Sequence, residues 1–217
     1  MKAVFFDLDG TLFDTLADIA YALNYALAAY DIPKVPEKEV RHFVGRGLRN
    51  ALAQAVVTSG KRVEEDDFDL MYELMLSAYR KHPADRTVLY PGINELLSEL
   101  KEKGLKLGLL SNKADSIVQG ILAKYPLDLD FASGAVPGVP LKPDPSLYFS
   151  ALEKLGVKPE ETVYVGDSEV DAAFARRSGS PCLIVSYGFR TEEELEAGGI
   201  TDTLKNTAEL RSALLGL

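Results

Sequence analysis

The chain has 217 residues, with 24 Lys plus Arg against 33 Asp plus Glu and a formal net charge of −9. That length corresponds to one or two domains and supports a hydrophobic core without a metal or disulfide staple. Its 47 % apolar and 26 % charged residues exclude gross disorder, and the acidic balance argues against nucleic-acid or anionic-membrane partners, which need basic surface.

The first apolar run, Lys2 to Phe6, reads as a strand buried on both faces that ends in Asp7-Leu8-Asp9-Gly10-Thr11. Asp7 and Asp9 interrupt the run too early for a signal peptide. From about Thr15 the pattern changes. Asp18 to Tyr30, Glu37 to Val44, Leu48 to Ser59 and Asp66 to Lys81 all read as helices, with no strand among them. Tyr90-Pro91-Gly92 marks a return to alternating elements. Helices are expected over Asn94 to Lys103, Asp115 to Lys124, Pro145 to Leu155 and Val170 to Ser178. Strands are expected over Leu105 to Leu110, Thr162 to Val165 and Pro181 to Val185, with a weaker candidate at Leu129 to Ala132. Glu192-Glu193-Glu194 suits a first helical turn, where acidic groups complement the helix dipole. Strands alternating with helices imply crossover units and a parallel sheet. The expected architecture is therefore α/β: a Rossmann-like core of residues 1–14 and 86–217, with an all-helical cap, 15–85, inserted into it.

The single cysteine, Cys182, excludes an intrachain disulfide and fits a reducing compartment. No apolar run approaches the roughly 20 residues of a membrane span. A cytoplasmic protein is expected, with no membrane partner. His42 and His82, 40 residues apart in the cap, read as surface or packing residues.

Polar residues gather just after four expected strands, where an open parallel sheet forms its ligand crevice. Asp7 and Asp9, two residues apart, could meet one ion or one reacting group, and at that spacing they need a metal or a shared proton. Ser111-Asn112 precedes a helix, and a hydroxyl, an amide and free helix N–H groups suit a phosphate. Lys142 is flanked by prolines that fix a turn and start a helix. Asp167 and Asp171 lie one helical turn apart. Each cluster alone has an ordinary explanation as a turn or a helix cap; four together are harder to explain that way.

Asp7-Leu8-Asp9-Gly10-Thr11-Leu12-Phe13-Asp14-Thr15, Ser111-Asn112, Lys142-Pro143 and Gly166-Asp167-Ser168-x-x-Asp171 resemble, in order, the four motifs of the haloacid dehalogenase-like phosphohydrolases. The helical insert is similar to that superfamily's mobile cap. Its position, with Val44-Gly45-Arg46-Gly47, Tyr90-Pro91-Gly92 and Ser186-Tyr187-Gly188-Phe189, resembles the phosphoglycolate phosphatase branch.

The resemblance implies that Asp7 is a nucleophile forming an aspartyl-phosphate. Asp9 would be the general acid and then the base, oriented by Thr11. Mg2+ would bind Asp7, the Asp9 backbone carbonyl and Asp167, with Asp171 ligating through water or holding a ligand in place. Thr11, Ser111, the Asn112 backbone and Lys142 would hold the phosphoryl group, and Arg46 of the cap would touch the substrate. That substrate would be a small phosphorylated metabolite such as 2-phosphoglycolate. The residues leave other readings open: a phosphosugar mutase like beta-phosphoglucomutase, a broad sugar-phosphate or nucleotide phosphatase, and a receiver-type phosphoacceptor domain. Monomer and homodimer stay equally open. Phe174 and Arg177 replace the smaller residues more usual in the helix after Asp171, which puts the packing there in question.

Overall fold

The structure is a computed structural model describing residues 1–217. Its centre is a six-stranded sheet in the order β5-β4-β1-β6-β7-β8, all neighbours parallel. The strands are β1 (Ala3–Phe6), β4 (Lys106–Ala114), β5 (Phe131–Ala135), β6 (Thr162–Gly166), β7 (Cys182–Val185) and β8 (Thr203–Leu204). Strands β1 and β6 are buried along their whole length, which is why their sequences are continuous apolar runs rather than alternating ones. Helices α5 (Ile93–Glu102), α6 (Asp115–Lys124), α7 (Ser146–Leu155), α8 (Glu169–Ser178), α9 (Glu192–Ala197) and α10 (Thr207–Leu215) complete this part. Glu192, Glu193 and Glu194 form the first turn of α9, as expected, and Thr191 and Glu194 cap it reciprocally.

Between β2 (Phe13–Asp14) and β3 (Val88–Leu89) the chain is entirely helical: α1 (Leu16–Ala28), α2 (Glu37–Val40) continued by a short 3₁₀ turn at Arg41–Phe43, α3 (Leu48–Thr58) and α4 (Glu65–Lys81). Strands β2 and β3 pair antiparallel, Phe13 with Leu89 and Asp14 with Val88, so the two chain crossings are tied to one another. Asp18, 2 % exposed, reinforces the tie. Its carboxylate accepts from the Arg86 N–H at 2.9 Å and from the Thr87 N–H and hydroxyl at 2.7 and 2.8 Å.

One buried apolar cluster runs from the sheet (Val4, Leu107, Val163) into the helical insert (Leu23, Leu52, Met75). A second lies on the other face of the sheet and contains Phe174, whose ring meets Tyr148 and Tyr164 edge-on at 5.8 and 4.7 Å. The large residue after Asp171 thus fills an aromatic cluster, and Arg177 is exposed. Four elements were not expected from sequence: β2, β3, β8 and α10 are too short or too weakly patterned to stand out. Strand β4 also runs to Ala114, past the apolar stop at Leu110. No helix is long and apolar enough to cross a membrane.

Candidate active site

The ends of β1, β4 and β6, together with the segment around Lys142, converge under the insert. The narrow cavity there is lined below by Asp7, Asp9, Ser111, Asn112, Lys113 and Asp167. Asp7 directly follows β1; its N–H donates to the Val165 carbonyl at 2.9 Å, and its Oδ1 accepts from the Leu8 N–H at 2.7 Å. The turn that follows depends on Gly10, at φ +76°, because a Cβ there would lie 2.0 Å from Asp167 Oδ2.

Lys142 is buried and places Nζ 3.0 Å from Asp7 Oδ1 and 2.8 Å from Asp171 Oδ1. It also donates to the Tyr164 hydroxyl at 2.8 Å. Burial works against its charge, but Asp171 and Asp7 more than offset that and hold the ammonium above its ordinary range. Asp171 accepts from five donors: Lys142, the Tyr164 hydroxyl, the Ser168 hydroxyl and the N–H groups of Asp167 and Ser168. Burial alone would raise its carboxyl, yet Lys142 and these donors hold it below the ordinary value.

Asp7 and Asp167 lack that compensation. Burial, only partly offset by Lys142, raises Asp7 to about 7. Burial, reinforced by Asp171 and Asp7, raises Asp167 well above the carboxylate range. Oxygens of Asp7, Asp167 and Asp171 lie within 4.8 Å of one another. Four buried carboxylates here face two buried ammoniums, and the Arg190 guanidinium is already matched to Glu169 at 3.3 Å. The shortfall of two positive charges sits at Asp7 and Asp167. Hard carboxylate oxygens with that deficit fit a divalent cation such as Mg2+.

The structure separates the expected residues into groups. Asp7, Asp167, Asp171 and Lys142 form one connected cluster. The Asp9 carboxylate is turned from it to Lys113, whose Nζ donates to both its oxygens at 2.8 and 3.0 Å, and to the Thr15 hydroxyl. Thr15, and not Thr11, therefore orients Asp9; the Thr11 hydroxyl is buried with no hydrogen-bond partner. Ser111 lines the cavity and accepts the Lys113 N–H at 3.2 Å. The Asn112 side chain bridges two segments, donating to the carbonyls of Gly45 and Lys142, both at 2.9 Å, and accepting the Lys142 N–H at 2.7 Å.

Arg46 is exposed and lies outside the cavity lining, to which its neighbours Gly45 and Gly47 do contribute. Lys113 and Arg190 are the site cations that sequence reasoning missed. Lys113 had a signal, being the third polar residue in succession after an apolar strand. Arg190 had none, because its partners Arg41 and Val44 are some 150 residues away. His42 and His82 are exposed and face Glu194 and Asp85, consistent with surface roles.

A sequence profile of the haloacid dehalogenase-like hydrolases matches residues 4–185. A phosphoglycolate phosphatase of Caulobacter vibrioides is 33 % identical over 214 residues, covering 98 % of this chain and 90 % of its own. One from Rhodospirillum rubrum is 34 % identical over 206 residues, covering 92 % and 85 %. Among solved structures, a candidate phosphoglycolate phosphatase from Lactobacillus delbrueckii subsp. bulgaricus superposes with a TM-score of 0.92 at 30 % identity, covering 100 % of this chain and 99 % of the other.

Proposed function

The chain belongs to the haloacid dehalogenase-like hydrolase family and is a phosphatase, and we propose that it hydrolyses a small phosphomonoester, with 2-phosphoglycolate the first candidate. The relatives named phosphoglycolate phosphatase, at 33 and 34 % identity, support that choice of substrate. The observation that carries the reaction type is the pairing of Asp7 with Lys142 beneath a cavity roofed by small and apolar residues, Val44, Gly45, Gly47, Leu48 and Ala51.

Asp7 attacks phosphorus, the ester P–O bond breaks, and Asp9, entering this step as the carboxylic acid, gives its proton to the leaving alkoxide oxygen and is left as the carboxylate. Water then attacks the phosphoryl group on Asp7. Asp9 takes its proton, the bond from phosphorus to Asp7 breaks, and phosphate leaves. Ser111, which lines the cavity, would meet a phosphoryl oxygen, and Lys142, paired with Asp7, would offset the charge that is spread there in the transition state. Asp7 and Asp167 would hold Mg2+, and when bound it supplies charge neutralisation at the phosphoryl oxygens. Arg46 retains a place in this proposal only if the cap moves relative to the core during the cycle.

The test is phosphate release from a panel of phosphoglycolate, hexose phosphates, nucleoside monophosphates and pyrophosphate, with Mg2+. Phosphoglycolate is expected to show the highest kcat/KM. Preferential turnover of hexose phosphates would replace it as substrate. Isomerisation of a sugar phosphate without phosphate release would replace hydrolysis by the mutase reading.

A further inference from the structure

The loop Gly188-Phe189-Arg190 touches both the acidic cluster and the cap. On the site side, the Phe189 N–H donates to Asp167 Oδ2 at 2.7 Å. Gly188 packs so closely that a Cβ there would lie 2.2 Å from the Gly10 carbonyl oxygen and 2.6 Å from Asp167 Cβ. The loop therefore has no slack against Asp167. On the cap side, two arginines reach across in opposite directions. Arg190 donates to the carbonyls of Arg41 and Val44, each at 2.9 Å. Arg41, from the cap, donates to the Phe189 carbonyl at 2.9 Å and forms a two-pronged pair with Glu194 at 2.9 and 3.1 Å.

The Phe189 peptide groups thus face both ways: its N–H holds Asp167 and its carbonyl holds the cap. The contacts are not interchangeable with exposed ion pairs. Arg190 is mostly buried, its side chain 12 % exposed; it adds a second donor to the Arg41 carbonyl, which already accepts the Val44 N–H at 3.4 Å, and supplies one to the Val44 carbonyl at the exit of the turn. If the cap lifted away, Arg190 would lose two acceptors and Phe189 one donor at once. A planar guanidinium is suited to such multiple fixed bonds.

We propose that Arg190 and Arg41 are positioning residues that couple cap closure to the geometry of Asp167, and hence to divalent-cation binding, through Phe189. This rests on the proposed cation site at Asp7 and Asp167. Coupling of two equilibria is reciprocal. Closing the cap tightens the cation site, and a bound cation holds the cap down. The cap is then closed most firmly over a site that is chemically complete.

The experiment uses the full chain and two readouts, neither of them turnover. Free Mn2+ is followed by electron paramagnetic resonance to give its Kd. Hydrogen exchange of the 41–48 amides is followed by mass spectrometry with and without Mg2+. The wild type is expected to bind Mn2+ and to gain protection at 41–48 when Mg2+ is added. Arg41→Met touches no carboxylate of the cluster, yet it is expected to weaken Mn2+ binding by about fivefold or more and to abolish the Mg2+-dependent protection. Arg190→Met should do the same, and the double variant should be little worse than either single one.

Wild-type Mn2+ affinity in Arg41→Met together with faster 41–48 exchange would overturn the coupling and leave the cation site standing. Unchanged exchange in Arg41→Met would overturn the latch itself. No Mn2+ binding by the wild type would remove the cation reading and the coupling with it. Glu194→Gln weakens the Arg41 anchor with a nearly isosteric change, so it serves if Arg41→Met does not fold.

Discussion

Below the active-site cavity the strand ends present four buried carboxylates and two buried ammoniums. Above it the cap presents Val44, Gly45, Gly47, Leu48 and Ala51, with no charged side chain. The charges on the lower wall are unequally held: Asp171 accepts from five donors, whereas the Asp167 carboxylate accepts only from the Phe189 N–H. The upper wall contributes shape and the exclusion of water, both of which strengthen the electrostatics beneath it. The difference teaches how this fold divides its labour. In the proposed function, reaction type would belong to the core wall and substrate size to the cap wall. Substitutions on the two walls should therefore fail in different ways.

The largest effect belongs to Asp7. Asp7→Asn should lower phosphate release by several orders of magnitude while leaving the far-ultraviolet circular dichroism unchanged. It removes a carboxylate that burial already disfavours, so the metal-free variant should melt no lower than the wild type. Substantial turnover by the purified variant would take the nucleophile away from the core wall.

Next comes Lys113. Lys113→Met leaves the Asp9 carboxylate buried with only Thr15 to orient it. The expected loss in kcat is about 10²- to 10³-fold, the range of a misplaced general acid. Stability should fall by about 3–5 kcal/mol, because an unpaired buried charge remains. Asp9→Asn in the same chain should recover most of the stability and lower the rate little further, since the two residues act as a pair. Additive rate losses in steady-state assays would show that Lys113 serves the phosphate directly instead of through Asp9.

The cap wall should respond through KM and selectivity. Ala51 lines the cavity and is 1 % exposed. Ala51→Leu should lower kcat/KM for hexose phosphates by about 10- to 100-fold relative to phosphoglycolate, the discrimination that added methylenes provide. An equal loss for both, carried by kcat, would blur the separation of the walls.

This division also explains what the sequence made legible. Asp7, Asp167 and Lys142 follow buried strands or sit between prolines, so local pattern alone brought them to one end of the sheet. The ordering within the site was not local. Thr11 and Thr15 are equally suited by type to orient Asp9, and only the packed turn shows that Thr15 does so. Lys113 sits in a strand whose apolar pattern stops at Leu110. It stays extended and buried because Asp9 compensates its charge, a partner 104 residues away. Arg46 drew attention by its flanking glycines, but those glycines face the cavity with their backbone and leave the arginine exposed. The Arg41–Arg190 exchange joins surfaces that no sequence period connects.

The smallest effect concerns stability and tests the charge deficit itself. Asp7 titrates at about 7 instead of its ordinary 3.8, and Asp167 is shifted the same way. Between about pH 4 and 7 the folded protein therefore holds protons that the unfolded chain has released. On their account, metal-free stability falls as pH rises through that window. Asp171, held low by Lys142, acts oppositely: its contribution is present at neutral pH and is lost only in acid. A divalent cation takes the place of the protons on Asp7 and Asp167. It should therefore stabilise strongly at pH 8 and progressively less toward pH 5, where protons compete for the same oxygens. At a hundredfold excess over Kd the gain is about 2.7 kcal/mol, or roughly 5–10 °C in Tm for a chain of this size. Thermal melts with and without Mg2+ across pH 5–8 measure it, and Asp7→Asn should reduce both the increment and its slope. An increment that stays constant across that range would mean that the cation binds elsewhere than at the two under-compensated aspartates, and the lower wall would then need another explanation for their burial.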